Sequence, residues 1–265
     1  MTRLLHLSDL HFGTEDPGVV QALLQLEQQL RPDHCLLSGD ITQRARRGQF
    51  AAAQAFVRRL GAPVMAVPGN HDLPLFNLAA RLFNPYGNYR QAFGQDLEPV
   101  LDTPRLLVIG VNSTRPARHK DGQVSAAQVQ RVSRRLQQAA PGQLRIVMLH
   151  HPVRAIEESD LSNLLIGRER AVPEWVDAGA DLLLGGHIHL PYLVPLQGSQ
   201  PERRGWAVQA GTGLSTRTRG AVPNSVNLIE YDAGGPRRCC LTRWDYLAGQ
   251  GFVEVERSEL RLSDL

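Results

Sequence analysis

Seven residues whose side chains commonly bind metal ions follow short apolar stretches of this 265-residue chain: Asp9, His11, Asp40, Asn70, His150, His187 and His189. Imidazole nitrogens combined with carboxylate and amide oxygens, without thiolate, suit Mn²⁺, Fe, Zn²⁺, Ni²⁺ or Co²⁺ better than Ca²⁺. Seven ligands exceed the four of a tetrahedral zinc site. The set therefore predicts two divalent cations that share one carboxylate. Such a centre can generate a hydroxide and clamp the attacking and leaving oxygens of a phosphoryl displacement.

The elements that must position these residues alternate between strand and helix. Short apolar runs predict strands at residues 3–7, 34–37, 63–67, 105–111, 144–149 and 181–184. Residue patterns of helical period predict helices at residues 19–30, 49–60 and 125–140. The alternation is typical of parallel strands joined by crossover helices, so we expect an α/β fold. Beyond residue 190 the helical period disappears, and an antiparallel meander is predicted from residues 192–196, 206–210, 226–231 and 238–246.

Each candidate ligand lies at or just past the carboxyl end of a predicted strand. Ligands bind at that edge of open α/β sheets, because the strand ends and the following loops form a crevice there. Asp9 with His11, and His187 with His189, are spaced two residues apart, so extended backbone directs each pair to one face. Gly69 stands directly before another ligand and permits a tight turn there. Residues far apart in the chain are therefore expected to converge on one site.

Five motifs occur in order between residues 9 and 189: Asp9-Leu10-His11, Gly39-Asp40, Gly69-Asn70-His71-Asp72, His150-His151-Pro152 and Gly186-His187-Ile188-His189. In these motifs the chain resembles the calcineurin-like metallophosphoesterase superfamily. Within it, the chain is similar to bacterial members related to class III cyclic-nucleotide phosphodiesterases and glycerophosphodiesterases. The resemblance implies a four-layer α/β/β/α sandwich, with two mixed sheets flanked by helices. It also implies a metal-dependent hydrolase of phosphoester bonds, and favours a phosphodiesterase over a monoesterase.

The same resemblance implies a role for each residue of the motifs. The first metal would be bound by Asp9, His11, Asp40 and His189, and the second by Asp40 as bridging ligand with Asn70, His150 and His187. His71 would protonate the leaving oxygen or stabilise transition-state charge, and Asp72 would orient His71. His150 rather than His151 is expected to be the ligand, because the family places its histidine directly at the strand end. Manganese or iron is favoured over zinc, nickel and cobalt.

Three regions are candidates for substrate recognition. A Gly/Thr/Ser turn at residues 209–215 precedes Arg217 and Arg219, whose guanidinium groups could bind a phosphate; a surface hairpin explains the same residues equally well. Asn112 ends another strand and is a second candidate contact. Residues 73–104, interrupted by Pro and Gly, are expected to form a cap or loop region over the site. We expect one domain, residues 1–265, that ends in a tail at residues 247–265.

The composition is that of a globular protein, with 42% hydrophobic residues, 21% charged residues and a net charge of +3. No apolar run reaches the roughly 18 residues of a membrane span. The N-terminus has no secretory-signal pattern, and the three cysteines offer no disulfide framework. We therefore expect a cytoplasmic protein that acts on a small phosphodiester without a membrane partner, and a homodimer through the C-terminal strands is left open. His6, His34 and His119 are expected to be structural residues.

Three other functions share this set of residues. A DNA or RNA nuclease is not favoured, because the sequence lacks aromatic residues interleaved with basic ones of the kind on which single strands stack. A catalytically weak metal-binding scaffold would hold the same cations without turnover. A protein serine/threonine phosphatase would also use this metal set, and its substrate grooves leave no mark in the sequence.

Overall fold

The computed structural model describes residues 1–199, 203–234 and 237–263. The strands in these ranges are β1 (Thr2–Leu7), β2 (His34–Leu37), β3 (Val64–Ala66), β4 (Val100–Thr103), β5 (Leu106–Gly110), β6 (Leu144–Met148), β7 (Leu182–Gly185), β8 (Tyr192–Gln197), β9 (Arg204–Gln209), β10 (Ser225–Asp232), β11 (Arg238–Leu247) and β12 (Gly251–Arg261). The α-helices are α1 (Pro17–Leu30), α2 (Arg47–Val57), α3 (Leu78–Phe83), α4 (Gly87–Phe93), α5 (Ala126–Gln137) and α6 (Arg168–Asp177). None of the helices described is long and apolar enough to cross a membrane.

The strands form two mixed sheets of six strands each. In the first sheet the order is β12-β11-β10-β1-β2-β3, with β1, β2 and β3 parallel and the remaining pairs antiparallel. In the second sheet the order is β4-β5-β6-β7-β9-β8, with β5, β6, β7 and β9 parallel between antiparallel edge strands. The parallel pairs require long crossovers, whereas the antiparallel pairs β4-β5, β8-β9, β10-β11 and β11-β12 join strands that follow each other in the chain.

Alternating strand residues divide the apolar core into three layers. Leu5 of β1 packs with the buried residues of α1 and α2, whereas its neighbour Leu4 packs with the second sheet, including Ile146 of β6. Val147, the next residue of β6, packs with α5 and α6. Neighbouring strand residues point to opposite faces. Each sheet is therefore covered by helices on one face and by the other sheet on the second, which confirms the four-layer α/β/β/α sandwich.

Helices α1 and α5 begin at side chains that cap them. The Asp16 carboxylate accepts hydrogen bonds from the backbone N–H groups of Gly18 (2.7 Å) and Val19 (3.2 Å). Ser125 Oγ accepts from the Gln128 N–H (3.2 Å), while the Gln128 side chain accepts from the Ser125 N–H (2.9 Å). These bonds satisfy N–H groups that have no partner within the helix, so they determine where each helix begins.

The strands after residue 190 do not form the single meander that the sequence predicts. β8 and β9 form a hairpin in the second sheet, where β9 runs parallel to β7. β10, β11 and β12 form a meander in the first sheet. The prediction was wrong because an apolar pattern indicates that a strand is buried on one or both faces, but not which sheet it joins.

Two elements have weak sequence signals. Helix α6 contains Pro173, which usually ends a helix, yet Trp175 is fully buried against the second sheet. The segment expected to be a tail contains β12, an eleven-residue strand whose Phe252 and Leu260 are buried; residues 264–265 lie outside the described part. Charged residues along the rest of β12 obscured its apolar positions. Residues 73–104 contain α3, α4 and β4.

Candidate metal centre

The loops that follow β1 and β2 lie side by side and place the first ligands. The Asp9 N–H donates to the Gly39 carbonyl (3.1 Å), and the His11 N–H donates to the Asp40 carbonyl (2.9 Å). The parallel pairing of β1 and β2 is thus continued past the ends of both strands. As a result the side chains of Asp9, His11 and Asp40 are buried together at the carboxyl edge of the sheet.

Five of the seven candidate ligands have a left-handed backbone conformation. The φ angle is 52° at Asp9, 47° at His11, 48° at Asp40, 76° at His187 and 55° at His189. Only two other non-glycine residues in the described ranges have positive φ. This conformation costs an L-residue about 1–2 kcal/mol. Such residues persist where the surrounding structure over-determines them, and they cluster at functional sites.

The first group of donor atoms joins the two sheets. His189 Nε2 lies 3.2 Å from Asp9 Oδ1 and 3.0 Å from His11 Nε2, and His11 Nε2 lies 3.7 Å from Asp9 Oδ1. The His187 N–H donates to Asp9 Oδ2 (2.9 Å) and so ties the loop after β7 to the loop after β1. Three side-chain donors from distant parts of the chain therefore face one point.

The second group shares a carboxylate with the first. His150 Nε2 lies 3.3 Å from Asp40 Oδ1 and 3.2 Å from Asn70 Oδ1. Donor atoms of Asp40, His150 and His187 lie within 4.8 Å of one another. The second oxygen of Asp40 lies 3.7 Å from His11 Nε2. Asp40 therefore faces both groups, as a bridging ligand must.

In three imidazole rings, Nδ1 bonds a backbone carbonyl, so Nε2 is the nitrogen that faces the site. A carbonyl only accepts hydrogen bonds, so the Nδ1 atom beside it carries the proton and Nε2 presents a lone pair when the ring is neutral. The pairs are His71 with Gln43 (2.9 Å), His150 with Ser38 (2.8 Å) and His189 with Arg217 (2.6 Å). For the two rings in the donor groups, this is the tautomer that a metal ligand requires.

The donors present fit a pair of divalent cations. Metal–nitrogen and metal–oxygen bonds of about 2.0–2.2 Å separate neighbouring ligand atoms by about 3 Å or slightly more. The Nε2 atoms of His11 and His189 show that spacing. Asp9 Oδ1 and His11 Nδ1 are buried without a hydrogen-bond partner. A cation between the first donors would satisfy the carboxylate oxygen.

Charges within the site hold its carboxylates in the ionised form. Burial alone would raise the pKa of Asp9 and of Asp40, but His189 beside Asp9 and His150 beside Asp40 hold both pKa values well below their usual range. Burial lowers the pKa of His187 to about 3. Burial also acts to lower the pKa of His150, but Asp40 outweighs it and raises that pKa to about 9. A cation would compete with this proton, so its affinity falls as the pH falls.

His71 and Asp72 have different surroundings although they are adjacent. The centre of the His71 ring lies 4.9 Å from the centre of the His11 ring. The backbone N–H of His71 donates to Asp40 Oδ1 (2.8 Å). The Asp72 carboxylate instead accepts hydrogen bonds from backbone N–H groups of Ile41 (3.1 Å), Thr42 (2.8 Å) and Gly69 (2.9 Å). The prediction that Asp72 orients the His71 ring is therefore wrong, because Asp72 fastens the loops after β2 and β3 to each other.

An open cleft of about 670 Å³ lies above these donors. Its lining residues are Asp40, Gln43, Arg44, Asn70, His71, Leu75, His119, Lys120, Asp160, Asn163, His187, Ile188, His189, Arg217, Thr218 and Arg219. The basic residues of the wall are Arg44, Lys120, Arg217 and Arg219. The cleft is therefore suited to an anion that reaches the donor groups from solvent.

Two of the three predicted substrate contacts line this cleft. Arg217 donates to Gln43 Oε1 (2.9 Å) and is exposed. Arg219 is paired with Asp160 (2.7 Å) and Glu157, so much of its charge is compensated. Asn112 is buried, and its Oδ1 accepts from the Thr114 N–H (3.0 Å). Asn112 is not among the lining residues, and the prediction that it contacts substrate is wrong, because it holds a loop.

Residues 2–191 match the calcineurin-like phosphoesterase family. This range contains all five motifs and both donor groups. The chain belongs to this family.

Two curated proteins have sequences similar to this chain. A probable cyclic nucleotide phosphodiesterase from Synechococcus sp. is 29% identical over 176 residues, 63% of this chain and 61% of the relative. A probable glycerophosphodiester phosphodiesterase from Arcobacter nitrofigilis is 28% identical over 161 residues, 60% of this chain and 57% of the relative. The match thus spans about three fifths of each relative's length. A dimetal phosphatase from Danio rerio, 14% identical, has a TM-score of 0.65 with 99% of each chain covered, which shows the shared fold.

Several cleft residues lie outside the motifs. Those that sequence reasoning missed are Gln43, Arg44, His119, Lys120, Asp160, Asn163 and Thr218. Gln43 and Arg44 stand three and four residues after the candidate ligand Asp40, and this closeness in sequence could have identified them. His119 was expected to be structural, but it is exposed and lines the cleft. Residues 119–120 and 160–163 carry no comparable signal, because only the tertiary fold brings them to the site.

Proposed function

We propose that this phosphoesterase hydrolyses small phosphodiesters, a nucleotide or a glycerophosphodiester, with two divalent cations. One observation carries the proposal: two groups of donors meet at Asp40, beneath a cleft whose walls include Arg44, Lys120 and Arg217. The donors suit cations, and the walls suit the charge of a phosphate group. The names of the two curated relatives support a diester over a monoester.

The residues divide the chemistry between them. When bound, the two cations would activate water and offset charge on the phosphoryl oxygens. Because the Gln43 carbonyl holds His71 Nδ1–H, Nε2 of this ring is the atom free to act, and in the imidazolium form it donates its proton to the leaving oxygen. The guanidinium of Arg217 binds a phosphate oxygen and so orients the substrate.

The shape of the cleft supports a diester of small size. Its volume of about 670 Å³ exceeds what a phosphate group alone would fill. Leu75 and Ile188 line it together with the charged residues, so apolar surface is available to the organic group on either side of the phosphate. Both ester groups of a nucleotide or glycerol derivative can therefore be accommodated.

Replacing Asp40, whose carboxylate faces both donor groups, tests the proposed two-cation hydrolysis. Asp40→Asn keeps the size of the side chain but removes its charge, so we expect cation binding to fail and kcat/KM to fall by more than about a hundredfold. The manganese content of each purified protein is measured by mass spectrometry. Product release is then measured for bis(p-nitrophenyl) phosphate, cyclic nucleotides, glycerophosphodiesters, phosphomonoesters and DNA.

A matched control is Asp232→Asn, because Asp232 is exposed and lies beside the amino end of β1, opposite the ligand edge. This variant should keep its metal and its activity. Full hydrolysis by metal-free Asp40→Asn protein would contradict the proposal. Cleavage of DNA but not of small diesters would identify a nuclease instead, and tight metal without any turnover would identify a scaffold.

A further inference from the structure

Three segments meet beside the cleft, and we call them together the basic apolar face: residues 43–49, 74–83 and 115–120. The guanidinium carbon of Arg44 lies 5.0 Å from the centre of the Phe76 ring, which joins the first segment to the second. A small depression lined by Gln43, Leu75, Arg81 and His119, among others, lies where all three segments meet. The segments therefore form one continuous surface.

Arg81 fastens this surface from within. Its guanidinium donates to the carbonyls of Pro74 (2.9 Å), Pro116 (2.8 Å) and Arg118 (2.7 Å). The second segment, including α3, is thereby attached to the third at a defined position. The outward side chains of α3 are consequently presented by an anchored element.

The most exposed large hydrophobic side chains of the described residues all lie on this face. The exposed fraction is 75% for Phe76, 73% for Leu78, 74% for Leu82 and 83% for Phe83. None of the residues of α3 is buried. Scattered apolar residues are normal on protein surfaces, but four within eight positions form a patch of the kind that marks an interaction site.

The charge of the face has one sign. Its three segments contain seven arginine and lysine residues and no aspartate or glutamate. The ion pairs formed by the described residues all involve other cations. The arginines and the lysine of this face therefore form no ion pair with a carboxylate of the described residues.

We propose that the basic apolar face docks on the surface of an anionic lipid bilayer. Apolar side chains of a short amphipathic element enter the boundary between headgroups and acyl chains, while arginine and lysine attract anionic headgroups. A second copy of this chain fits less well, because a two-fold contact would press arginine and lysine residues of one face against those of the other. Nucleic acid also fits less well, because only two of the four exposed side chains, Phe76 and Phe83, are aromatic rings on which bases could stack.

Docking in this way would set the position of the cleft. Arg44 and Leu75 belong both to the face and to the cleft wall, and Lys120 does as well. The mouth of the cleft would then lie at the level of the headgroups. The sequence-based expectation of no membrane partner relied on the lack of a long apolar run, and a surface assembled from three short segments leaves no such run. The docking does not depend on the proposed hydrolysis.

Sedimentation with lipid vesicles tests the proposal. We expect the full chain to sediment with vesicles of phosphatidylcholine mixed with phosphatidylserine, and to remain in solution with phosphatidylcholine alone. Added salt should weaken the binding, because it screens the attraction between the cations and the headgroups. The double variant Leu82→Ser/Phe83→Ser should bind at least about tenfold more weakly, because it removes two exposed apolar side chains.

Two control variants distinguish binding through the basic apolar face from nonspecific binding to vesicles. Val255→Ser changes an exposed apolar residue on β12, and Arg58→Gln removes an exposed cation outside the face; both should bind as the unchanged chain does. Arg47→Gln/Arg118→Gln should bind more weakly. The proposal is overturned if the unchanged chain stays in solution with anionic vesicles, or if the face variants bind as the controls do. Loss of self-association or of oligonucleotide binding in the Leu82/Phe83 variant, with vesicle binding intact, would assign the face to those partners instead.

Discussion

Backbone carbonyls orient three of the imidazole rings at the candidate metal centre. His150, His189 and His71 each donate Nδ1–H to a carbonyl of a neighbouring loop. A carbonyl stays neutral over the whole pH range, so the orientation of each ring does not depend on the titration of a partner. The direction of each Nε2 atom is consequently a property of the loop backbone.

Replacing His71 separates proton donation from cation binding. His71→Asn removes the ring that is proposed to donate a proton, and the donor groups around Asp40 remain. We expect kcat to fall by about 10²–10⁴-fold with the metal content unchanged. A leaving group that needs no protonation, such as p-nitrophenolate, should be affected less than an alkoxide. Equal losses for both leaving groups would count against a proton-donating role.

His6 gives the stability of the protein a specific pH dependence. Its ring is fully buried, and burial lowers its pKa to about 3 although Asp9 acts to raise it. The unfolded chain binds a proton at this residue below about pH 6.5, whereas the folded chain does not. Because only the unfolded chain gains this proton, the free energy of unfolding falls as the pH falls from about 6.5 toward 3, by up to about 1.4 kcal/mol per pH unit.

Urea unfolding at pH 7 and pH 5 measures this effect. Between pH 7 and pH 5, the free energy of unfolding of His6→Asn should fall by about 2 kcal/mol less than that of the unchanged chain, because the asparagine side chain does not titrate. His34→Asn, at a partly exposed position, is the control. If His6→Asn and the unchanged chain lose the same free energy of unfolding, the assignment to His6 is wrong.

At the scale of elements, the ligand loops depend on close backbone approach. A Cβ atom at Gly69 would overlap the backbone nitrogen and Oδ1 of Asp40. Gly69→Ala should therefore push apart the loops after β2 and β3, cost about 1–3 kcal/mol of stability and weaken cation binding. Gly48→Ala in α2 is the matched control, because nothing lies within 4 Å of its Cβ position. The control should be neutral or stabilising by up to about 1 kcal/mol.

The melting temperature of both glycine variants is measured by thermal unfolding with and without Mn²⁺. The expected pattern is a lower melting temperature and a smaller metal-induced rise for Gly69→Ala alone. Indistinguishable behaviour of the two variants would show that the loops tolerate the extra methyl group.

Elements that carry a continuous apolar run could be predicted from the sequence within about two residues. β2 and β5 are examples, because strands buried on both faces need apolar residues at successive positions. β12 was missed, since it lies at a sheet edge and only a few of its side chains are buried. The strand predicted at residues 206–210 corresponds to β9, but its parallel pairing with β7 depends on a contact between distant segments.

The candidate ligands were predictable because each stands directly after a strand of a sheet. Residues that reach the cleft from longer loops were not, and Asp160 with Asn163 illustrates this. Asn112 shows the opposite error, since it also follows a strand, yet its side chain turns into the loop rather than toward the cleft. The end of a strand determines where the backbone arrives, whereas side-chain direction depends on local hydrogen bonds.

At the scale of the whole molecule, the contact between the two sheets includes the last described strand. Leu260 of β12 is 1% exposed and packs in the layer between the sheets. Leu260→Ala should cost about 2–5 kcal/mol of the free energy of unfolding. Val255→Ala, at a 42% exposed position of the same strand, should cost well under half of that. Similar values for both in chemical denaturation would show that β12 adds little to the core.

Nε2 of His11 and Nε2 of His189 lie 3.0 Å apart, although 178 positions separate the two residues in the chain. A nascent chain on the ribosome has synthesised His11 long before His189 exists. The first donor group is therefore incomplete until residue 189 has been synthesised and the two sheets have met. A cation that requires all three donors could consequently be taken up only after that contact between the sheets has formed.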